Sequence, residues 1–227
     1  MQDKKTFLEY LFGFFLGVNF FFLCLLYLFL QKNTLNLYII NKAVANTALL
    51  LIITVLFIGP LSRLYNWPDI LVSFRKEIGI SGFIFAVIHT FLSFLPNYYN
   101  LNRYFQTFNP SFYAAITAIL ILTILFILSF EKIIAKLPRS LWWKIQYRGV
   151  RTVFILVIIH FLLKNISKWK IWMTTHSSLP DLSFIIFILC IFLLIFRVTE
   201  YLNRKLAKFV FTGGLIITII FYLYLFL

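Results

Sequence analysis

The apolar positions of this chain do not alternate with polar ones; they run in long unbroken blocks separated by short polar or basic segments. Seven blocks, near 7–30, 43–62, 78–95, 112–130, 150–166, 182–199 and 208–227, approach or exceed the roughly 20 helical residues that cross a hydrocarbon layer about 30 Å thick. The strands of a membrane barrel would alternate lipid-facing and lumen-facing residues in segments of about ten, and these blocks have no such period. A spanning segment must satisfy its own backbone hydrogen bonds, so a continuous apolar block reads as a helix. The expected fold is all-α: a polytopic transmembrane helical bundle of about seven spans.

Composition strengthens this reading. Of 227 residues, 62% are hydrophobic and 20% aromatic, more than a soluble domain of that size carries. The formal net charge of +14 would suggest nucleic acid as the partner of a soluble chain. Once the spans are drawn, the 21 basic residues divide fifteen to six between the two sides of the bundle. The richer side receives the N-terminus and the loops after the second, fourth and sixth helices. By the positive-inside rule the N-terminus is expected in the cytoplasm and the C-terminus outside, in a cytoplasmic (inner) membrane, with lipid as the partner and no nucleic acid.

The first block is too long for a secretory apolar core and no small-residue cleavage site follows it, so it is expected to remain as a span. Cys24 and Cys190 fall inside spans and read as small apolar core residues. The longest loops, around 96–111 and 131–149, have no room for a dinucleotide-binding fold. Electrons for any redox chemistry would therefore come from a separate protein or a diffusible carrier. Pro60, near the end of the second helix, reads as its terminator, and Gly213 and Gly214 as sites of close packing or a kink.

Histidine inside a bilayer is expensive and marks a candidate site. His89 and His160 lie on the third and fifth helices, which run in the same direction. At 1.5 Å per residue, both sit roughly 15 Å or somewhat more along their helices, in the outer half of the membrane. Two imidazoles at a common depth are what the iron of a bis-histidine haem requires. Gly79, Gly82 and Ala86 fall on about the same face as His89, either leaving room for a flat cofactor or forming a small-residue packing seam. The plain alternative for each histidine is a hydrogen bond to a neighbouring helix. His176 lies in an outer loop and reads as solvated.

At these residues the sequence resembles the ferric-reductase-like transmembrane family, and within it the haem-binding membrane subunit of the bacterial periplasmic methionine-sulfoxide reductase system. The resemblance begins with Thr47-Ala48-Leu49 and Gly59-Pro60-Leu61-Ser62-Arg63, and continues through Arg75-Lys76 and Gly79 to His89. It resumes at Asn109-Pro110 and Trp143 and reaches Ile158-Ile159-His160-Phe161. More distant relatives are the STEAP metalloreductases and the NADPH oxidases.

The resemblance implies a six-helix ferric-reductase-like core, with the haem domain at 43–200, an added helix and loop at 1–42 and another helix at 201–227. It implies an oxidoreductase, or the electron-transfer subunit of one. Electrons would pass from a cytoplasmic flavin (FMN or FAD) or a quinone through haem b, ligated by His89 and His160, to an outer acceptor or oxidoreductase partner. Where the sulfoxide-reductase subunit has a further histidine this chain has Tyr147, so one haem is expected, with about 20 Å of helical rise between it and the cytoplasmic face. Arg75, Lys76, Arg148 and Arg151 are expected at the cytoplasmic mouth, placed to pair with a flavin phosphate or to serve as ordinary basic anchors. Tyr147 is placed there either to hydrogen-bond a flavin or quinone or to serve as an ordinary interfacial aromatic.

Two other classes compete. Gly79-Ile80-Ser81-Gly82 echoes the nucleophile motif of rhomboid proteases, but Ser81 would lie on the order of 10 Å in height from His160. The stronger rival is a transporter or structural membrane subunit without redox activity, whose histidines only bridge helices.

Overall fold

The computed structural model describes residues 2–65, 70–95, 109–175 and 179–226, apart from the side chains of 2–6, 70 and 218–226. His176 and most of the 96–111 segment lie outside the described residues. Helices are α1 (Gln2–Lys32), α2 (Leu37–Tyr65), the single turn α3 (Ile70–Ser73), α4 (Arg75–Phe94), α5 (Pro110–Ile127), the single turn α6 (Glu131–Ile134), α7 (Arg139–Thr175), α8 (Leu182–Leu202) and α9 (Arg204–Phe226). Among the described residues there is no strand, and six helices, α1, α2, α4, α5, α7 and α8, are long and apolar enough to cross a membrane. The protein is a multi-pass all-α membrane bundle. The seventh expected span is present as the helix α9.

Several helices outrun their apolar blocks, for identifiable reasons. α2 begins at Leu37 because Asn36 caps it, its Oδ1 accepting from the backbone N–H of Ile39 at 3.0 Å. Pro60 does not end α2, which continues to Tyr65. It removes a single hydrogen bond near the cavity described below, and the helix tolerates the loss. α7 has 37 residues and takes in much of the segment expected to be a basic loop. Its first turns are tied to the end of α5, where Trp142 Nε1 donates to the Leu128 carbonyl at 2.8 Å and Gln146 Nε2 to the Leu125 carbonyl at 3.1 Å. A hydropathy block finds the lipid-crossing part of a helix, not the basic turns that extend beyond it.

Lipid chains are as apolar as leucine, so packing and specific polar contacts assemble these helices rather than the hydrophobic effect. α2 is the central one: 15 of its 29 residues are buried, and it touches α1, α4, α7 and α8. Close approaches use glycine. A Cβ on Gly13 of α1 would lie 2.8 Å from the Glu77 backbone of α4, and one on Gly82 of α4 would lie 3.4 Å from Leu51 Cβ of α2. Gly214 lets α9 pack onto the Phe192 ring of α8, whereas Gly213 faces open space. Cys24 and Cys190 are buried free thiols in the main apolar cluster.

The arrangement that matters for function is a ring. α2 packs on α4, α4 on α5, α5 on α7, and α7 back on α2. α4 and α7, which carry the two histidines, thus stand across the ring axis from one another.

Candidate functional site

Two cavities lie on that axis, one toward each end of the bundle. The larger, about 570 Å³, opens at the end where α2 begins and α4 finishes. This is the end with fewer basic residues. His89 and His160 both line it, together with Ala45, Ala48, Ala86, Ala115 and Ala118, whose small side chains leave the space, and with Phe112, Ile116 and Ile119. Its volume lies within the range of small-molecule and cofactor sites.

Each imidazole is oriented by its Nδ1. His160 Nδ1 lies 2.8 Å from the backbone carbonyl oxygen of Ser111 and 3.0 Å from the Ser111 hydroxyl. A carbonyl only accepts, so Nδ1 carries the proton and Nε2 keeps its lone pair. His89 Nδ1 lies 2.7 Å from Asn41 Oδ1, likewise an acceptor, with the same consequence. Asn41 is itself held, because its Nδ2 donates to Ser93 Oγ at 3.0 Å and Ser93 Oγ donates to the His89 carbonyl at 2.8 Å. Neither Nε2 has a hydrogen-bond partner among the described residues. Fixing one ring nitrogen by a second-shell acceptor while leaving the other bare is how proteins present histidine to a metal.

One further polar group in this cavity is unspent. Asn46 is 1% exposed, lines the cavity, and its amide nitrogen has no partner among the described residues. A buried donor left without an acceptor is costly. The rim carries Lys42, Lys164 and Lys168. Lys42 is neutralised by Asp181 at 2.9 Å. Asp181 also caps α8, accepting from the backbone N–H of Ser183 at 2.8 Å and from the Ser183 hydroxyl. Burial alone would raise the Asp181 pKa, but the Lys42 ammonium and the Ser183 hydrogen bonds outweigh it and hold the carboxyl below the usual range.

The second cavity, about 280 Å³, lies at the basic end. Arg63, Arg75, Lys76, Arg151 and Arg197 line it, and among the described residues no aspartate or glutamate does. Glu200, just outside, serves two of these cations, Arg63 at 2.5 Å and Arg197 at 2.9 Å. The Arg151 guanidinium stacks on the Tyr147 ring, 3.6 Å from its centroid. Arg75 packs over Gly59, whose missing Cβ would stand 3.5 Å from Nη1, and its Nε is buried without a partner among the described residues. Among the described residues Arg75 forms no ion pair with a carboxylate.

Of the residues expected at this mouth, Arg75, Lys76, Tyr147 and Arg151 come together. Arg148 is exposed and does not line the cavity. The small-residue strip of α4 divides its duties: Gly79 lines this cavity with nothing within 4 Å, Gly82 is packed against α2, and Ala86 lines the other cavity. Ser81 is 7% exposed and lines neither cavity, so it does not meet His160.

The two cavities share a wall. Ile52 of α2 and Leu122 of α5 line both. The stacked pair Phe83 and Phe126, with centroids 4.5 Å apart, lines the basic-end cavity close to it. Both cavities thus lie between the basic face and the histidine pair's end of the bundle, separated at Ile52 and Leu122.

Reading the sequence for chemistry missed the partners: Asn41 and Ser111, which orient the imidazoles, and Asn46. All are polar residues at the margin of or inside apolar blocks, a signal that was present. It also missed Glu77, which is 4% exposed at the seam of α4 with α1, with Oε2 unpartnered among the described residues.

A ring of spanning helices around two cavities divided by an apolar wall defines a polytopic α-helical membrane protein with internal chambers. The family model for the ferric reductase like transmembrane component matches residues 42–157, about half of the chain, and the chain belongs to that family. The match includes His89 and stops just short of His160. No curated protein matches the chain.

Proposed function

We propose that this protein carries electrons across the bilayer, from a flavin or quinone donor at the basic-end cavity, through one haem b held by His89 and His160, to an acceptor beyond the opposite end. The family supports transmembrane electron transfer in general. The observation that carries the finer reading is the pair of imidazoles, each with Nδ1 committed and Nε2 bare, lining one cavity from α4 and α7.

The residues fit the group. His89 and His160 would hold the iron through their free Nε2 nitrogens, alanines leave space between the helices, and the Asn46 amide, unpartnered among the described residues, offers a donor to whatever fills it. Bound there, haem iron supplies a one-electron centre. What the chain does is orient the rings through Asn41 and Ser111, keep the axial nitrogens unprotonated, and exclude bulk water with an apolar wall.

At the basic end, Arg75, whose Nε is without a partner among the described residues, supplies a positive charge for a phosphate or a reduced quinone oxygen, and Arg151 on Tyr147 a second. The shared wall of Ile52 and Leu122 brings such a donor close to the histidine cavity. With the basic end in the cytoplasm, as the charge bias suggests, electrons travel outward. Kinship with the sulfoxide-reductase subunit belongs to the same proposal, and implies an outer oxidoreductase as the partner.

The test is the visible spectrum of the detergent-purified protein, expressed with adequate haem supply, with His89→Ala and His160→Ala beside it. A Soret band in the wild type that each substitution abolishes is the expected result. A colourless wild type, as a transporter or structural subunit would give, or full haem content in both variants, overturns it.

A further inference from the structure

Resting on that reading, we infer that Lys164 and Lys168 anchor the two haem propionates, so that the cofactor's carboxylate edge faces the end of the bundle opposite the basic one. Two observations carry this: the charge balance of the cavity and the placement of the cations on α7.

Among the described residues, those lining the larger cavity include three ammonium groups, Lys42, Lys164 and Lys168, and no carboxylate. Lys42 is spent on Asp181. Lys168 donates to the phenol oxygen of Tyr38 at 2.9 Å and its ring contact is with the same Tyr38, so its charge is not neutralised. Lys164 forms no ion pair among the described residues. The cavity therefore holds two uncompensated positive charges at its rim over an apolar floor. Haem b carries two carboxylates on one edge of an otherwise apolar ring, which is the complementary distribution.

The placement agrees. His160, Lys164 and Lys168 are spaced four residues apart, so they lie on about one face of α7, and each step rises about 6 Å toward the rim. A porphyrin bound through His160 Nε2 has one edge in that interval. Of the edges it can present there, the anionic one is favoured, because an ammonium–carboxylate pair partly shielded by the cavity wall is worth more than one in open water. The reverse orientation would bury both carboxylates against Ile52 and Leu122, where among the described residues no cation lines this end of the cavity and the arginines lie beyond the wall.

The experiment compares haem with its dimethyl ester, which keeps iron and ring but removes both negative charges. Apoprotein is loaded with each, and release to a haem scavenger is timed for wild type, Lys164→Met/Lys168→Met, and Lys170→Met, which alters a lysine of α7 that does not line the cavity. The expected result is that wild type and Lys170→Met release the ester about tenfold or more faster than haem, the fold-change of one lost charge-assisted contact. The double variant should release both at the same rate while keeping its bis-imidazole spectrum, and its haem should have a lower reduction potential, since the removed cations favoured the reduced state. If the double variant binds haem through both histidines yet discriminates between haem and ester as the wild type does, the anchoring assignment is wrong while the haem reading stands. If no form of the protein shows a bis-imidazole spectrum with either ligand, both fall.

Discussion

Ile52 on α2 and Leu122 on α5 form the partition between two cavities that otherwise run along the same axis, since both residues line both chambers. Truncating the partition joins the chambers. Leu122→Ala is expected to lower stability by about 2 kcal/mol, the lower end for leucine truncation, because one side of the residue already borders empty space. It should also admit water to the histidine cavity, seen as a shift of the haem reduction potential. Thermal unfolding in detergent and a redox titration check the two effects, and no change in either would show that the partition is not formed by this side chain.

Asn41 fixes the His89 ring without touching the metal position. Asn41→Leu leaves Nδ1 of His89 without its acceptor, and should weaken haem binding about 10- to 100-fold while keeping a bis-imidazole spectrum. Haem titration of the apoprotein measures this. Ser93→Ala, which removes only the next link in that chain, should have a smaller effect.

Arg75 and Arg148 are both basic residues near one face of the membrane, but only Arg75 lines the basic-end cavity. Arg75→Gln is expected to slow reduction of the haem by a flavin or quinol donor about 10- to 100-fold, the loss of a charge-assisted hydrogen bond, without altering the haem spectrum. Arg148→Gln should leave the rate unchanged. Equal effects of the two would mean that general surface charge, not a site, governs donor binding.

The Lys42–Asp181 pair joins the start of α2 to the start of α8. Asp181→Asn keeps a side-chain acceptor for the cap but removes the charge that pairs with Lys42, and should destabilise the protein by about 2 kcal/mol at neutral pH through the weakened charge-assisted hydrogen bonds. Because the folded-state pKa of Asp181 is depressed, its ionised form stabilises the fold above the ordinary carboxylate range, and that contribution disappears as pH falls through the depressed value. The difference in Tm between wild type and variant should thus persist at pH 7 and narrow only in the acid region below the usual carboxylate pKa. A gap that closed near pH 6 would assign the effect to another group.

The apolar blocks determined the helices, because a chain in lipid has no other way to satisfy its backbone, and two intramembrane histidines at one depth were legible as a pair for the same reason: polarity there is costly. The apolar blocks could not show where helices outrun the lipid, so the basic first turns of α7 and the continuation of α2 past Pro60 came only from the folded structure. What the tertiary structure alone decided is which side chains share a space. Arg75, Lys76, Tyr147 and Arg151 are brought together and Arg148 is turned away, Gly82 is consumed in packing while Gly79 and Ala86 border different chambers, and Asn41 and Ser111 arrive at the histidines from other helices. Those outcomes depend on how α2, α4, α5 and α7 rotate as they close their ring. Helix rotation is set by steric fit between neighbours, which a single line of sequence records only after the neighbours are known.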